Sequence, residues 1–432
     1  MSVVGRSPRA AVVTVGDELL LGKTVDTNAA WLGRELGELG IPVVRRHTVG
    51  DVPGEIQVAV ADALTVADLV VVTGGLGPTP DDLTRDAVAE LFGRPLLDDP
   101  EVLESIRARF RERGATELPG PNRRVAQVPA GAHKLTNPCG TAPGLAMERD
   151  GALVVLLPGV PRELKGIFLG DLRRLVLERF SGRLSPVHVR AVRTTGIPES
   201  VLAQRIAERL PEGTGPVRLA FLPGLRGVDL RFQATDMSAD EADARFDGLL
   251  GALEDVLAPW RFDAPSGDLA EAVSLALRSR GMRLAVAESC TGGLIAKRLT
   301  DLPGASDVLS GGVVAYANDV KTGVLGVRDE ELAEQGAVSE VVAAAMAEGV
   351  ARLLGADVGI GVTGVAGPGG GTEEKPVGTV WYAVAIEGRV EARRERFSGD
   401  REAVRERAAQ AALFLLLRAL EASAERADRA RG

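Results

Sequence analysis

The sequence predicts an α/β protein made of two strand–helix blocks with a small α+β module between them. Three observations carry that expectation. The apolar stretches AAVVTV, ADLVVVTGG and GALVVLLPG are continuous rather than alternating, which suits parallel strands covered on both faces. Glycines, 52 in all, gather at strand–helix junctions rather than in tracts. The texture then changes after residue 180, where two short strands flank a tight turn. The expected division is 1–180, 181–262 and 263–432.

In the first block AAVVTV is a strand, DTNAAWLGRELGEL a helix opened by Asp26 and Thr27, IPVVRRHTV a strand and ADLVVVTGG a buried strand. LTRDAVAELF and PEVLESIRARFRER read as helices; GALVVLLPG and a long helix, PRELKGIFLGDLRRLVLERF, close the block. The middle module reads strand–helix–strand–strand–helix, with Leu225, Arg226 and Gly227 joining two strands as a hairpin. WRFDAPSGD is a linker broken by Pro265, Ser266 and Gly267. From Asp268 the α/β texture resumes, running from the helix DLAEAVSLALRSR to a long helix beginning near Asp400, whose tail EASAERADRARG is expected to fray.

Composition narrows the function. The net charge of −9 argues against nucleic acid as an obligate partner, because phosphate binding needs a concentrated basic surface. Cys139 and Cys290 fall in different blocks and suggest no disulfide framework. The N-terminus lacks the apolar core of a signal peptide, and AALFLLLRAL is too short for a membrane span and is interrupted by Arg418. A soluble cytoplasmic protein is the expectation, with no membrane partner.

The C-terminal block carries the sharpest chemical signal. AVAESCTGGLIAKRL puts Ser289 and Cys290 where an apolar run meets Thr291, Gly292, Gly293 and a helical pattern. Such strand ends bind ligands in α/β sheets, and free amides at the start of LIAKRL could hold an oxyanion. His47, His133 and His188 all lie outside this block, so a Ser-His-Asp triad within it is excluded. A nucleophilic Ser289 would need a lysine or a tyrosine as base: Lys321 could serve if desolvation or a neighbouring cation lowers its pKa, and Tyr316 could relay the proton. The competing reading makes Ser289 a helix N-cap, Tyr316 a packing residue and Lys321 a solvated charge. Cys290 is the rival nucleophile, or a small buried hydrophobe. The Gly-rich GVTGVAGPGGG is not a Walker loop; Thr363, with Gly364 beside it, is better placed to bond a substrate group. Arg401, in FSGDR, could pair with a phosphate or sit exposed in a first helical turn.

ESCTGG, VVAYANDVK, GAVSE, TGVAGPGGGTEEKPVGTVW and FSGDR together resemble the C-terminal domain of the competence/damage-inducible CinA family. That resemblance implies an amidohydrolase fold that converts nicotinamide mononucleotide (NMN) to nicotinate mononucleotide and ammonia without a cofactor. It implies Ser289 as nucleophile, Tyr316 and Lys321 as its activating pair, and Thr363 and Arg401 as substrate-site residues.

The N-terminal block carries the second signal. Asp17 and Glu18 follow the first strand, Gly74, Gly75 and Gly77 follow another, and Asp81, Asp82 and Asp86 stand beyond them. Glycine turns can hold phosphates, and adjacent carboxylates a divalent metal. The alternative makes Asp81 and Asp82 helix caps and Asp17-Glu18 a polar turn. GDELLLGKTVDTN, TGGLGPTPDDLT, NPCGTAPGL and LLPGVPRE resemble the molybdopterin-binding fold, a three-layer α/β domain, in its CinA branch. The resemblance implies hydrolysis of ADP-ribose to AMP and ribose 5-phosphate with Mg, Mn or Co, or with a monovalent cation in addition. Asp17, Glu18, Gly75, Asp81, Asp82, Asn137, Gly159 and Glu163 would line that site. Cys139 has no assignable role.

The leading expectation is thus a two-site hydrolase of pyridine nucleotides, NMN and ADP-ribose, acting as a homodimer. Two readings stay open beside it: a pterin-binding or adenylyl-transfer relative in the N-terminal block, and a non-catalytic scaffold in DNA uptake or repair. The middle module reads as a spacer or dimer element.

Overall fold

The computed structural model describes residues 6–429 except 113, 115, 116, 118, 185, 186 and 236. The chain divides into two compact units, residues 1–189 with 234–242, and residues 190–233 with 243–432.

Eight strands lie in the first unit: β1 Ala10–Val15, β2 Val43–Val49, β3 Leu69–Thr73, β4 Leu96–Asp98, β5 Gln127–Pro129, β6 His133–Leu135, β7 Gly144–Arg149 and β8 Ala152–Leu157. Six make one sheet in the order β2-β1-β3-β8-β7-β6, and β4 pairs with β5 as a separate ribbon. The continuous runs behave as their composition demands. Every residue of β1, β3 and β8 is buried, whereas β2, at the edge, alternates. Ala11, Val13, Val70 and Val72 face one core with Ile56 and Val60. Ala10, Val12, Leu69 and Val71 face the other with Leu32, Leu36 and Leu164.

Two expectations change here. The sheet is mixed rather than wholly parallel: β2, β1, β3 and β8 run parallel, but β7 and β6 are antiparallel. Asp150 and Gly151, with φ of 51° and 82°, reverse the chain between β7 and β8 so tightly that no crossover helix can intervene. The long helix after β8 is broken into Pro161–Ile167 and Arg173–Arg179 by a wide turn in which Gly170 leaves helical geometry (φ −86°, ψ −105°). A helix over Pro53–Val66, absent from the expectations above, begins with proline at its first position, where no amide partner is needed. Asp26 caps the helix Thr27–Glu38, accepting from Ala29 N at 2.8 Å.

The middle sheet comprises β9 His188–Thr194, β10 Arg218–Gly224, β11 Gly227–Ala234 and β12 Arg261–Phe262, in the order β10-β11-β9-β12. Leu225 and Arg226 turn the β10–β11 hairpin, with Gly224 paired to Gly227. The expected linker contains β12, which pairs antiparallel with β9 because Phe262 buries its ring.

The third sheet, β14-β13-β15-β16-β17, uses β13 Leu284–Glu288, β14 Leu309–Val314, β15 Val358–Gly364, β16 Thr379–Ile386 and β17 Arg389–Arg396. β14, β13 and β15 are parallel, and β16 and β17 antiparallel. Leu284 and Val286 pack against helices Leu269–Arg278 and Arg401–Arg429. Ala285 and Ala287 pack on helix Glu340–Leu354. Among the described residues no helix is long and apolar enough to cross a membrane.

Candidate active sites

In each α/β sheet, neighbouring parallel strands, four in the first and three in the last, end at one edge, and the candidate residues stand there. Glu288 on β13 is level with Val314 on β14 and Val362 on β15. Ser289 therefore leaves its strand between the segment leading to Tyr316 on one side and Thr363 on the other.

The local chain around Ser289 is tied down by backbone bonds. Ser289 N donates to Val362 O at 2.9 Å, and Ala315 N donates to Glu288 O at 2.8 Å. Gly292 and Gly293, with φ of 62° and 90°, make the turn that follows, a conformation costly to any residue with a Cβ. Helix Leu294–Thr300 starts from Gly293 with no side-chain cap, so Ser289 is not an N-cap. The buried carboxylate of Glu288 accepts instead from Ile295 N (3.1 Å) and Ala296 N (2.9 Å). The expectation that the amides opening LIAKRL are free is thereby corrected for these two: a carboxylate buried at a helix start takes the nearest orphan donors and complements the dipole.

Lys321 is buried, at 1% exposure, and its Nζ donates to Ala315 O (2.8 Å) and Tyr316 O (3.3 Å). No ion pair among the described residues involves it. Desolvation pulls its pKa below the usual lysine value, and Cys290 is near enough to act on its charge. The solvated-charge reading is ruled out. Tyr316, by contrast, is exposed; its hydroxyl accepts from Arg401 Nη2 at 2.8 Å, while Arg401 Nη1 donates to Gly367 O at 2.7 Å. Arg401 is the first residue of the last helix, as the sequence suggested, and its guanidinium is shared between Tyr316 and the glycine-rich loop. Burial pushes the Cys290 thiol up to about 12, which leaves it a buried hydrophobe rather than a thiolate nucleophile.

The remaining C-terminal candidates differ in what they can offer. Thr363 is buried and donates its hydroxyl to Ala337 O at 2.7 Å, leaving only acceptor capacity for a ligand. Gly364 is packed against β16, where a Cβ would meet Val380 Cγ2 at 2.7 Å and Thr379 O at 2.8 Å. Thr291 keeps a buried hydroxyl without a partner among the described residues, and its carbonyl accepts from Arg405 Nη2 at 2.7 Å. Arg405 was missed in the sequence: it sits one helical turn after Arg401, a spacing that places both on one face. With Leu294, Glu402 and Glu406, the two arginines border a cleft of about 350 Å³.

At the N-terminal edge, glycines set the shape. Gly74 (φ 109°) lies so close to β1 that a Cβ would meet Val15 O at 2.1 Å, and Gly159 leaves only 3.3 Å between its own Cβ position and Gly74 Cα. Gly75 abuts Thr84, and Gly77 abuts the Asp82 carboxylate. Asp17 and Glu18 are exposed; Asp17 N donates to Asp51 Oδ2 at 3.0 Å, and Asp51 N to Asp17 Oδ1 at 3.3 Å. Asp51, which nothing in the motif pattern singled out, comes from the end of β2. Burial raises its pKa, and Asp17, Glu18 and Asp81 raise it further by repulsion. Asp82 bonds Thr79 N at 2.8 Å and also its hydroxyl. Helix Thr84–Leu91 begins from Leu83 without a side-chain cap, so neither aspartate is its cap; Asp82 closes the preceding turn.

Asn137 works as a clasp. Its Nδ2 donates to Ala142 O and Glu163 Oε2, both at 2.7 Å, and its Oδ1 accepts from Cys139 N and Gly140 N. Both ends of the amide are engaged, so Asn137 positions Glu163 and the NPCG loop. Asn28, also unmarked by sequence, donates to Gly159 O at 2.7 Å. Among the described residues no three His, Cys, Asp or Glu side chains form a ready-made metal cage. A Mg²⁺-type ion needs only one or two carboxylates besides water and substrate phosphates, and Asp17 and Asp51, each bonded to the other's amide, bring two carboxylates together at this edge.

The fold is that of a multidomain α/β protein whose N-terminal part has a molybdopterin-binding-type fold. Family models agree: residues 11–175 match a probable molybdopterin binding domain, 189–262 the damage-inducible protein CinA KH domain, and 266–420 the CinA C-terminal domain. The chain is 47% identical to a CinA-like protein of Gemmatimonas aurantiaca, over 94% of this chain and 95% of that one. It is 42% identical to a putative competence-damage inducible protein of Moorella thermoacetica, over 96% of this chain and all of that one. A solved structure of a CinA protein of unknown function from Thermoplasma acidophilum is 39% identical, covering 39% of this chain and 98% of its own, with a TM-score of 0.37. The chain belongs to the CinA family.

Proposed function

We propose that the protein is a hydrolase of pyridine nucleotides with two independent sites. In the C-terminal site, neutral Lys321 takes the Ser289 hydroxyl proton, directly or through Tyr316, as Ser289 Oγ attacks the carboxamide carbon of NMN. The tetrahedral intermediate collapses, the proton passes to the departing nitrogen, and ammonia leaves an ester on Ser289. Water then attacks that ester, returning the proton to Ser289 and releasing nicotinate mononucleotide. Arg401 and Arg405 supply the guanidinium groups that would meet a substrate phosphate, in a cleft they share with Glu402 and Glu406. The observation that carries this reading is the burial of Lys321 without a carboxylate partner among the described residues, which favours its neutral, basic form. Ser289→Ala is expected to lower ammonia release by on the order of 10⁴-fold or more while sparing diphosphate cleavage. An active variant would remove Ser289 as nucleophile.

For the N-terminal site we propose cleavage of the diphosphate of ADP-ribose to AMP and ribose 5-phosphate. Gly74, Gly75 and Gly77 let phosphate oxygens approach the main chain, and Asp17 and Asp81 would hold a divalent cation. Such a cation would neutralise the diphosphate charge when bound. Glu163, fixed by Asn137, faces the same edge of the sheet from the start of its helix. Asp81→Asn, at an exposed position, is expected to weaken the metal dependence of AMP formation about tenfold or more with folding intact. Unchanged metal dependence would reject the assignment.

A further inference from the structure

The middle module reaches the C-terminal cleft through one side chain. Arg226 stands at the turn of the β10–β11 hairpin, which belongs to the same compact unit as the last helix. That turn is pinned in place. Gly227 (φ 144°) lies so close to the end of β9 that a Cβ there would collide with Thr194 O, and the Thr194 hydroxyl donates to Val228 O at 2.6 Å. From the turn, Arg226 Nε donates to Glu406 Oε2 at 2.9 Å and Nη1 to Asp268 Oδ2 at 2.6 Å.

Glu406 is also one of the residues bordering the cleft of Arg401 and Arg405. Arg401 and Arg405 are one turn apart on the last helix, and so are Glu402 and Glu406, which puts a cationic and an anionic stripe side by side. The two arginines donate to neutral oxygens, those of the Tyr316 hydroxyl, Gly367 and Thr291. Their charge is therefore opposed at the cleft by Glu402 and Glu406. Two carboxylates would cancel two guanidiniums, leaving no net charge to draw an anion. Arg226 takes Glu406 out of that balance. The rest of its cluster cancels internally: Asp268 accepts from Arg298 Nη2 at 2.6 Å on its other oxygen, so Arg226 and Arg298 face Asp268 and Glu406. What remains at the cleft is Arg401 and Arg405 against Glu402, an excess of positive charge.

We infer that Arg226 is a positioning residue of the C-terminal site: by holding Glu406 and offsetting its charge, it keeps the cleft positive enough to bind the phosphate of a nucleotide substrate. The inference rests on the proposed deamidation of a nucleotide at this edge, and it gives the middle module a part in substrate binding.

Steady-state ammonia release from NMN by the full chain tests it. Arg226→Gln is expected to raise KM about fivefold with kcat little changed, the scale of one unit charge acting across a partly screened cleft. Removing the charge left unpaired should repair the loss: Arg226→Gln combined with Glu406→Gln is expected to return KM to within about twofold of wild type. A hairpin that only braced the helix would not be rescued by deleting its partner. Glu406→Gln alone, which leaves Arg226 in place, is expected to lower KM, and it reads the same balance if Arg226→Gln does not fold. An unchanged KM in Arg226→Gln, a raised KM that the double variant does not repair, or a raised KM in Glu406→Gln overturns the inference. Wild-type protein that releases no ammonia from NMN overturns the deamidase reading itself and this inference with it, which keeps the two failures apart.

Discussion

The two candidate sites solve the same problem, presenting polar groups at the carboxyl ends of parallel strands, in opposite ways. At the serine edge the chemistry is buried. Lys321 and Glu288 are each 1% exposed and Ser289 9%, and every one is held by main-chain bonds. At the carboxylate edge Asp17, Glu18 and Asp81 are exposed, and the precision lies in glycines that let loops close on one another. Burial is what shifts a lysine toward a base; exposure is what leaves carboxylates open to a cation. The contrast teaches that the first edge depends on desolvation and the second on backbone shape.

Removing the buried base is the largest break. Lys321→Ala is expected to lower NMN deamidation about 10³-fold, within the range for general-base loss. The sign of the pH dependence follows from the lowered pKa: the base is active when neutral, so the wild-type rate should rise with pH through one ionisation lying below the ordinary lysine value of ~10.4. A rate profile for Lys321→Ala with the same inflection would assign it elsewhere.

Asp268 sharpens the comparison through stability. Burial alone would raise its pKa, but Arg298, itself almost fully buried, the Ala270 amide and Arg226 outweigh that and hold it below the usual range. Its contribution is therefore present above ~3.9 and is lost as pH falls through the lowered folded-state value. Asp268→Asn leaves a buried guanidinium short of its charge partner and should cost on the order of 3–5 kcal/mol, read as an earlier denaturant transition of the C-terminal activity. If ADP-ribose cleavage were lost in parallel, the two edges would not be energetically separate.

The smallest expected effect lies at the other edge. Asp26→Ala removes the cap of the helix that carries Asn28, with a cost of about 1 kcal/mol. Because Asn28 holds the Gly159 carbonyl, the KM for ADP-ribose should rise with little change in kcat. A change in NMN deamidation instead would tie the cap to the wrong site.

Much of the molecule was legible because its signals are local. The uninterrupted runs of β1, β3 and β8, the Asp26 cap, the β10–β11 hairpin and the position of Arg401 at a helix start follow from periodicity and short-range chemistry. Signals that depend on a distant partner were not legible. β12 looked like a linker because a two-residue strand has no period, and its pairing with β9 spans most of the middle module. Asp51 carries no motif, and it matters only because β2 lies beside β1. The 189–262 segment matches a KH-domain model, which its balance of 11 Asp or Glu against 9 Lys or Arg did not announce.

By itself, the sequence determined the α/β class, the strand ends at which the candidate residues stand, and the absence of a histidine from the C-terminal block. Tertiary structure decided which of those residues are free. It gave the Ile295 and Ala296 amides to Glu288, turned Asn137 from a ligand candidate into a clasp, and closed Asp82 onto Thr79. It also buried Lys321 away from any carboxylate among the described residues. The physical reason is that a polar group's availability depends on what else can satisfy it once water is excluded, and those competitors come from elements far away along the chain.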